Sequence, residues 1–168
     1  MTELTPPESL PPSQRKVFDA ARALGLDIGV HIRAQPTRTA EEAAAACGCS
    51  VAQIVKSLVF RGQPSGAALL FLVAGGNRLD ETPAAALIGE SLERPDGRFV
   101  REATGFAIGG IPPFGHAKPL KTIMDEDLLA HDLVWAAAGA PNAVFPIAPH
   151  KLREATGARV ARLAATPA

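Results

Sequence analysis

The segment GFAIGGIPPFGH, at residues 105–116, constrains the fold more than any other part of the chain. A double glycine that runs into a double proline suits the interior of neither a helix nor a strand. Gly109 and Gly110 can adopt positive φ and leave their amides free of side chains, whereas Pro112 and Pro113 fix their own φ and favour extended backbone before them. The segment predicts a shaped loop that directs amide donors at a ligand oxygen. A rigid connection between two strands is the alternative.

A lysine interrupts the apolar, β-type run VAQIVKSLVFR. Because side chains alternate between the two faces of a strand, Lys56 shares a face with Ile54, Leu58 and Phe60. An ammonium among these hydrophobic side chains must reach solvent, pair with an acid or bind an anion. Ser57 points to the opposite face, which favours a structural role, and its place beside Lys56 keeps it among the candidate substrate-binding residues.

Length and charge set the broad class of the protein. The 168 residues predict one domain, at residues 13–168, after a flexible tail at residues 1–12 that contains four prolines. Seventeen basic and seventeen acidic residues cancel, so no net field attracts the chain to nucleic acid in general. The longest apolar run, AALLFLVA, is far shorter than the roughly 20 residues of a membrane-spanning helix, and the N-terminus lacks a secretory signal. We expect a cytoplasmic protein with neither a DNA nor a membrane partner.

The cysteines and histidines do not form a metal-binding pattern. Cys47 and Cys49 are separated by one residue, unlike the two-residue gap of common zinc and thiol redox motifs, and the four histidines are scattered. We therefore expect neither a metal nor another cofactor. Both cysteines are interpreted as small, partly buried hydrophobic residues of a reducing compartment.

Capping and turn signals predict interleaved helices and strands. Ser13 is the predicted cap of a first helix, and a short strand follows at residues 28–33. Thr39 and Glu42 form a capping-box pattern before a second helix, and Pro95 opens a later one. The turn GQPSG joins the lysine strand to AALLFLVA as an antiparallel hairpin. Several connections are too short for parallel crossovers, so we predict an α+β fold with one mixed, strongly bent sheet surrounded by helices.

Three segments resemble a known family. QIVKSLVF, LVAGGNRLDE and REATGFAIGGIPPFGH occur in the order found in the YbaK family, also called the prolyl-tRNA synthetase-associated domain family of aminoacyl-tRNA deacylases. The match extends from about residue 26 to the C-terminus, and the ordered co-occurrence of all three segments is a specific signal. The resemblance implies a mixed, barrel-like sheet with helices packed around it. It also implies a hydrolase that removes a wrongly attached amino acid from tRNA.

The resemblance assigns roles to the lysine and the glycine loop. In the family, the lysine that matches Lys56 is essential for deacylation, the loop that matches residues 109–113 contacts the substrate carbonyl, and the substrate's own 2′-hydroxyl helps to activate water. The residues themselves offer no Ser-His-Asp arrangement with a nucleophile elbow, so they do not indicate covalent catalysis. The catalytic candidates are Lys56, Gly109 and Gly110, and the amides of both glycines and of Ile111 are predicted oxyanion donors.

Further residues are candidates for binding the substrate. His116 is a candidate base or hydrogen-bond partner, with a surface or structural histidine as the alternative. Asp80 suits a helix N-cap better than a catalytic acid. The candidate substrate-binding residues are Ser57, Asn77, Arg78, Ile111, Pro112, Pro113, Phe114 and His116, and the candidate phosphate contacts are Arg33, Arg78 and Lys118.

One departure from the family bears on specificity. Members that remove cysteine from prolyl-tRNA carry a polar loop, SGGKRGLD, where this chain has AAGAPNAV at residues 137–144. The lost polar side chains favour serine, threonine or alanine over cysteine, with Ile111 and Phe114 in the pocket wall. The partners are then the acceptor end of aminoacyl-tRNA and prolyl-tRNA synthetase or another synthetase. A module that binds acylated ends or a synthetase without hydrolysis is the alternative function.

Overall fold

The computed structural model describes residues 3–166, which form two β-sheets and five α-helices. The strands are β1 (Glu3–Leu4), β2 (His31–Ile32), β3 (Val55–Gln63), β4 (Ala68–Ala74), β5 (Ser91–Glu93), β6 (Lys121–Asp125), β7 (Val134–Ala137), β8 (Ala143–Ile147) and β9 (Arg159–Ala161). The α-helices are α1 (Pro12–Ala23), α2 (Ala40–Cys47), α3 (Glu81–Ile88), α4 (Gly97–Thr104) and α5 (Pro149–Thr156). Short 3₁₀-helices lie at Pro7–Ser9, Val51–Gln53 and Glu126–Ala130. None of these helices is long and apolar enough to cross a membrane.

The strands form two sheets that do not close into the predicted barrel. In the five-stranded sheet, ordered β5-β3-β4-β6-β9, β3 runs antiparallel to both neighbours, whereas the β4–β6 and β6–β9 pairs are parallel. The four-stranded sheet, ordered β1-β2-β8-β7, is antiparallel throughout. A backbone bridge joins Ile54 to Trp135, but beyond it β3 and β7 line a cavity instead of pairing. The predicted mixed α+β fold is confirmed, and the prediction of a barrel-like sheet was wrong.

Each face of the five-stranded sheet packs against a separate hydrophobic core. The apolar strand β4 supplies both: Leu70 and Leu72 enter the larger core, which the four-stranded sheet and α1 complete. Phe71 and Val73 enter the smaller core, which also includes Ala84 of α3. Burial on both faces explains why β4 is an uninterrupted apolar run. It also gives the neighbouring lysine strand a rigid support.

The predicted hairpin and one predicted helix cap are confirmed, and another cap is not. β3 and β4 pair in antiparallel register around the predicted turn. The Thr39 side chain accepts a hydrogen bond from the Glu42 amide and so caps α2. Ser13 does not cap α1, because the helix already begins at Pro12, and proline suits a first turn whose amides lack helical acceptors.

Two aspartates begin the helices on either side of β5. The Asp96 carboxylate accepts a hydrogen bond from the Phe99 amide at 2.9 Å. As a result, α4 starts at Gly97 and not at Pro95 as predicted. Asp80 caps α3 in the same way, which confirms its predicted role as an N-cap.

The start of the described chain is attached to the four-stranded sheet. Within the predicted flexible tail, β1 pairs with β2, and the Thr5 amide donates to the Val30 carbonyl at 2.8 Å. β2 is shorter than the strand predicted at residues 28–33. Met1 and Thr2 of the predicted tail, and Pro167 and Ala168 of the predicted domain, lie outside the described residues.

Candidate active site

The candidate site lies along an edge of β3 that is only partly paired. β4 covers one edge of the strand from Val55 to Arg61. β5 pairs with the other edge only from Arg61 to Gln63. No strand of the described chain pairs with residues 56–60 on that second edge. These residues instead line two adjacent cavities, of about 300 and 360 Å³.

The smaller cavity, here named the alanine cavity, lies between β3, α2, β7 and the turn before β8. Six alanines contribute to its wall: Ala40, Ala43, Ala136, Ala137, Ala140 and Ala143. Such a wall offers space for a compact side chain, and polar residues of the lining include Thr37, Arg38 and Thr39.

The larger cavity, here named the arginine cavity, joins hydrophobic residues of β3 to Arg78 and Arg94. Arg94 also forms an exposed ion pair with Glu81 at 3.1 Å. The residues that line both cavities are Lys56, Ser57, Leu58, Ile108 and Ile111. The two cavities therefore form one groove, and Lys56 lies at their junction.

Lys56 is held within the groove by a backbone group. Its Nζ donates a hydrogen bond to the carbonyl of Asn77, in the turn after β4. Burial lowers the pKa of the Lys56 ammonium, while the carboxylates of Glu41 and Asp125 act in the opposite direction. No carboxylate of the described chain forms an ion pair with it. The ammonium therefore remains available to a ligand oxygen.

Two carboxylates hold the side chain of Asn77. Its Nδ2 donates to Oδ2 of Asp125 at 2.9 Å and to Oδ2 of Asp127 at 2.7 Å. Asp125 is fully buried, and Asp127 is exposed. Sequence reasoning missed Asp125 as a site residue. The available signal was a carboxylate directly after the apolar end of a buried strand.

Ser57 contributes a hydroxyl without a partner. Its Oγ is buried and makes no hydrogen bond within the described chain. An unsatisfied buried hydroxyl costs about 1–3 kcal/mol, so a ligand or water that bonds to it is favoured. This observation supports the place of Ser57 among the candidate substrate-binding residues.

The two glycines of the loop differ in backbone geometry. Gly109 has a φ of +99°, in the region that favours glycine, whereas Gly110 does not have a positive φ. A Cβ on Gly110 would lie 2.6 Å from Cα of Ala140, so close packing requires this glycine. The Gly110 amide already donates to the Ala107 carbonyl at 3.2 Å. The prediction of a free amide at Gly110 was therefore wrong.

The other two predicted oxyanion donors of the loop remain free. Within residues 3–166, the N–H groups of Gly109 and Ile111 donate to no protein acceptor. Both residues line the alanine cavity. They are thus the candidate oxyanion donors, and Gly110 serves to bring the loop against the turn that carries Ala140.

The second half of the loop belongs to the core. Pro112, Pro113 and Phe114 are buried, and none of them lines either cavity. The Phe114 ring packs against Phe145, with centroids 5.6 Å apart. His116 also lies outside both linings, where Nε2 donates to the Pro112 carbonyl at 2.7 Å and burial lowers the pKa of the imidazole. Ile111 therefore lines the groove. Pro112, Pro113, Phe114 and His116, which were also predicted to bind the substrate, do not.

The candidate phosphate contacts are also divided between the groove and other parts of the molecule. Arg78 lines the arginine cavity, but Lys118 lines a different cavity beside α4. Arg33 borders neither part of the groove, and its backbone bonds to Asn142. Of the three, the structure brings only Arg78 to the site.

The thiols and acids do not form a second centre in the described chain. Within residues 3–166, no group of three or more His, Cys, Asp or Glu side chains is arranged to hold a metal ion. Cys47 and Cys49 are free thiols. Burial, with a smaller contribution from Cys49, raises the pKa of Cys47 to about 12, so this thiol is a poor nucleophile.

Comparisons with known proteins identify the family of this chain and structures with a similar fold. Residues 34–165 match the aminoacyl-tRNA editing domain family. The uncharacterised protein YwhH of Bacillus subtilis is 32% identical over 122 residues, which cover 73% of this chain and 77% of YwhH. A solved structure described as a "putative trans-editing enzyme for prolyl tRNA synthetase" is 50% identical, with a TM-score of 0.89 over 94% of this chain and 100% of that one. The hypothetical protein APE2540 is 33% identical, with a TM-score of 0.82 over 89% and 99% of the two chains.

Proposed function

Because the chain belongs to the aminoacyl-tRNA editing domain family, we propose that it hydrolyses the ester of a mischarged tRNA that carries serine, threonine or alanine in preference to cysteine. The observation that carries the proposal is the position of Lys56 at the junction of the two cavities. An aminoacyl-tRNA end has two unlike parts, a small side chain and a charged nucleotide. One half of the groove is walled mainly by small apolar residues, although Arg38 also lines it, and the other half contains Arg78 and Arg94.

In this proposal the amino acid side chain occupies the alanine cavity. Residues 137–144 contribute Ala137, Ala140, Pro141, Ala143 and Val144 to its wall, without a charged side chain. The volume of about 300 Å³ is sufficient for the side chain of a small amino acid. An apolar wall distinguishes substrates that differ by one small group by only about 1–3 kcal/mol, so we expect a graded preference.

The reacting ester lies beside Lys56 and the loop. Water adds to the ester carbonyl, the N–H groups of Gly109 and Ile111 donate to the oxyanion that forms, and the bond to the ribose oxygen then breaks. Lys56 holds the ribose or terminal phosphate as a point charge, and the Ser57 hydroxyl bonds to the substrate or the water. His116 does not border the groove, which supports activation of water by the substrate's own 2′-hydroxyl, as the family implies.

The nucleotide then extends towards Arg78 and Arg94, where phosphate and guanidinium charges attract. We further propose the acceptor end of tRNA as the ligand, with prolyl-tRNA synthetase or another synthetase as an additional partner. Since tRNA is charged in the cytoplasm, we place the protein there.

Deacylation of matched tRNAs charged with cysteine, serine, threonine and alanine tests the proposal. We expect Lys56→Ala to lose at least about a hundredfold in kcat, since it removes the charge that holds the ribose or terminal phosphate and so positions the ester. Lys151→Ala, an exposed lysine of α5, is the matched control and retains the rate. Full turnover by a folded Lys56→Ala variant contradicts the role of the lysine. Protection of the ester from spontaneous hydrolysis would instead identify a binding module, and a dominant rate on cysteine would overturn only the substrate preference.

A further inference from the structure

Asp125 is a buried carboxylate to which the chemistry above gives no task. It lies at the end of β6, is fully buried, and forms no ion pair within the described chain. An ionised carboxylate in such a place needs several hydrogen bonds. Its donors are the Ala74 amide at 3.1 Å, the Asp127 amide at 3.0 Å and Nδ2 of Asn77 at 2.9 Å.

Asn77 connects this carboxylate to the groove. Its side-chain amide donates to Asp125, while its backbone carbonyl accepts the hydrogen bond from Nζ of Lys56. Its own amide donates to the Ala74 carbonyl at 2.8 Å, which closes the turn after β4. The position of the carbonyl that receives the lysine thus depends on the anchored Asn77 side chain.

We propose that Asp125 is a positioning residue for Lys56: by anchoring Asn77, it fixes the carbonyl that receives the ammonium and so sets where the ammonium lies in the groove. The effect on catalysis rests on the proposed function, whereas the effect on the lysine itself does not. Displacement of a reacting group by about 1 Å can cost roughly a hundredfold in rate. Asp127 also accepts from Asn77 but is exposed, so it is the weaker anchor.

Asp125 also acts on Lys56 through its charge. Glu41 in α2 and Asp125 both raise the pKa of the lysine against the effect of burial. The other charged groups that line the groove or contact Asn77 are Arg38, Arg78, Arg94 and Asp127. Replacement of Asp125 by asparagine keeps its size, removes its charge and replaces one accepting oxygen by a donating amide group. The pKa of Lys56 then falls further, and an activity that needs the ammonium fails at a lower pH.

The test compares Asp125→Asn with Glu126→Gln, which removes the same charge from an exposed neighbour outside the groove. Side-chain NMR titration measures the Lys56 pKa without reference to activity. We expect a lower midpoint in Asp125→Asn than in the wild type, and no change in Glu126→Gln. In deacylation assays we expect kcat of Asp125→Asn to fall about tenfold or more with little change in KM, and its alkaline limb to move to lower pH.

An unchanged Lys56 midpoint, or an unchanged kcat in a wild-type protein that does deacylate, overturns the inference. If Asp125→Asn does not fold, Asn77→Ala takes its place, because it keeps the carbonyl and removes the side chain that Asp125 and Asp127 anchor. The same fall in kcat then supports the inference, and an unchanged kcat overturns it. If the wild type deacylates none of the tRNAs, the proposed function fails, and the NMR midpoints alone decide the positioning role.

Discussion

The two halves of the loop at residues 105–116 have opposite surroundings. Ile108 is 61% exposed and borders both cavities, and the amide of Gly109 faces no protein acceptor. Phe114, five residues after Gly109 in the same motif, is 4% exposed and packs in the larger core. A contiguous motif can therefore contain a ligand-facing half and a supporting half. Proximity in sequence to the loop glycines does not place a residue in the groove.

Gly110 is the point at which the two halves meet, and among substitutions in the loop Gly110→Val should have the largest effect. The added Cβ would lie 2.6 Å from Cα and N of Ala140, so the loop must move away from the turn. We expect at least a tenfold loss of deacylation and a decrease of about 1–3 kcal/mol in the free energy of unfolding. In the control, Gly97→Ala, the added Cβ comes no closer than 4.0 Å to Ile108. Normal activity and stability in Gly110→Val would show that the loop tolerates displacement.

Phe114→Leu tests the supporting half. The substitution removes ring contacts with Phe145 from the core, so we expect the free energy of unfolding to fall by about 1 kcal/mol. The kcat for deacylation should not change, because Phe114 does not line the groove. Denaturant unfolding and single-turnover kinetics give the two quantities. A lower kcat in the folded variant would restore Phe114 to the pocket wall that the sequence predicts.

Ile108→Ala tests the ligand-facing half. Because the side chain is 61% exposed, its truncation should change the free energy of unfolding by less than about 0.5 kcal/mol. The same change removes apolar surface from both cavities, so we expect KM for mischarged tRNA to rise roughly threefold to tenfold. A loss of stability without any change in KM would show that Ile108 belongs to the supporting half of the loop and not to the ligand-facing half.

His116→Gln should have the smallest effect, and only on the pH dependence of stability. Burial lowers the pKa of His116 in the folded protein, so the unfolded chain binds a proton more readily. The contribution of His116 to stability is complete above its unfolded pKa of about 6.5 and is lost as the pH falls from that value through the lower pKa of the folded protein. Denaturant unfolding at pH 7.5 and 5.5 should therefore give a smaller acid-side loss for His116→Gln than for the wild type. Equal losses would contradict the buried, uncharged state.

Local signals were sufficient to predict the elements that carry the site. The short turn between β3 and β4 determines their register, and the alternation along β3 identifies Lys56 as an ammonium beside apolar side chains. The remaining features depend on contacts between distant residues. Asn77 and Asp125 are 48 positions apart, and the burial of Phe114 requires Phe145. The sequence pattern likewise specified a mixed sheet but not its division, which depends on how β3 and β7 separate around a cavity.

The partly paired edge of β3 has a consequence for solubility. Unpaired strand edges are templates on which another chain can add a strand, and natural proteins protect them with inward-pointing charges and covering loops. Along residues 56–60 those protections are Lys56 and the loop at residues 108–111. We therefore expect the Lys56 side chain, in addition to its proposed role in deacylation, to oppose self-association of the protein, so that variants that neutralise it lose colloidal stability.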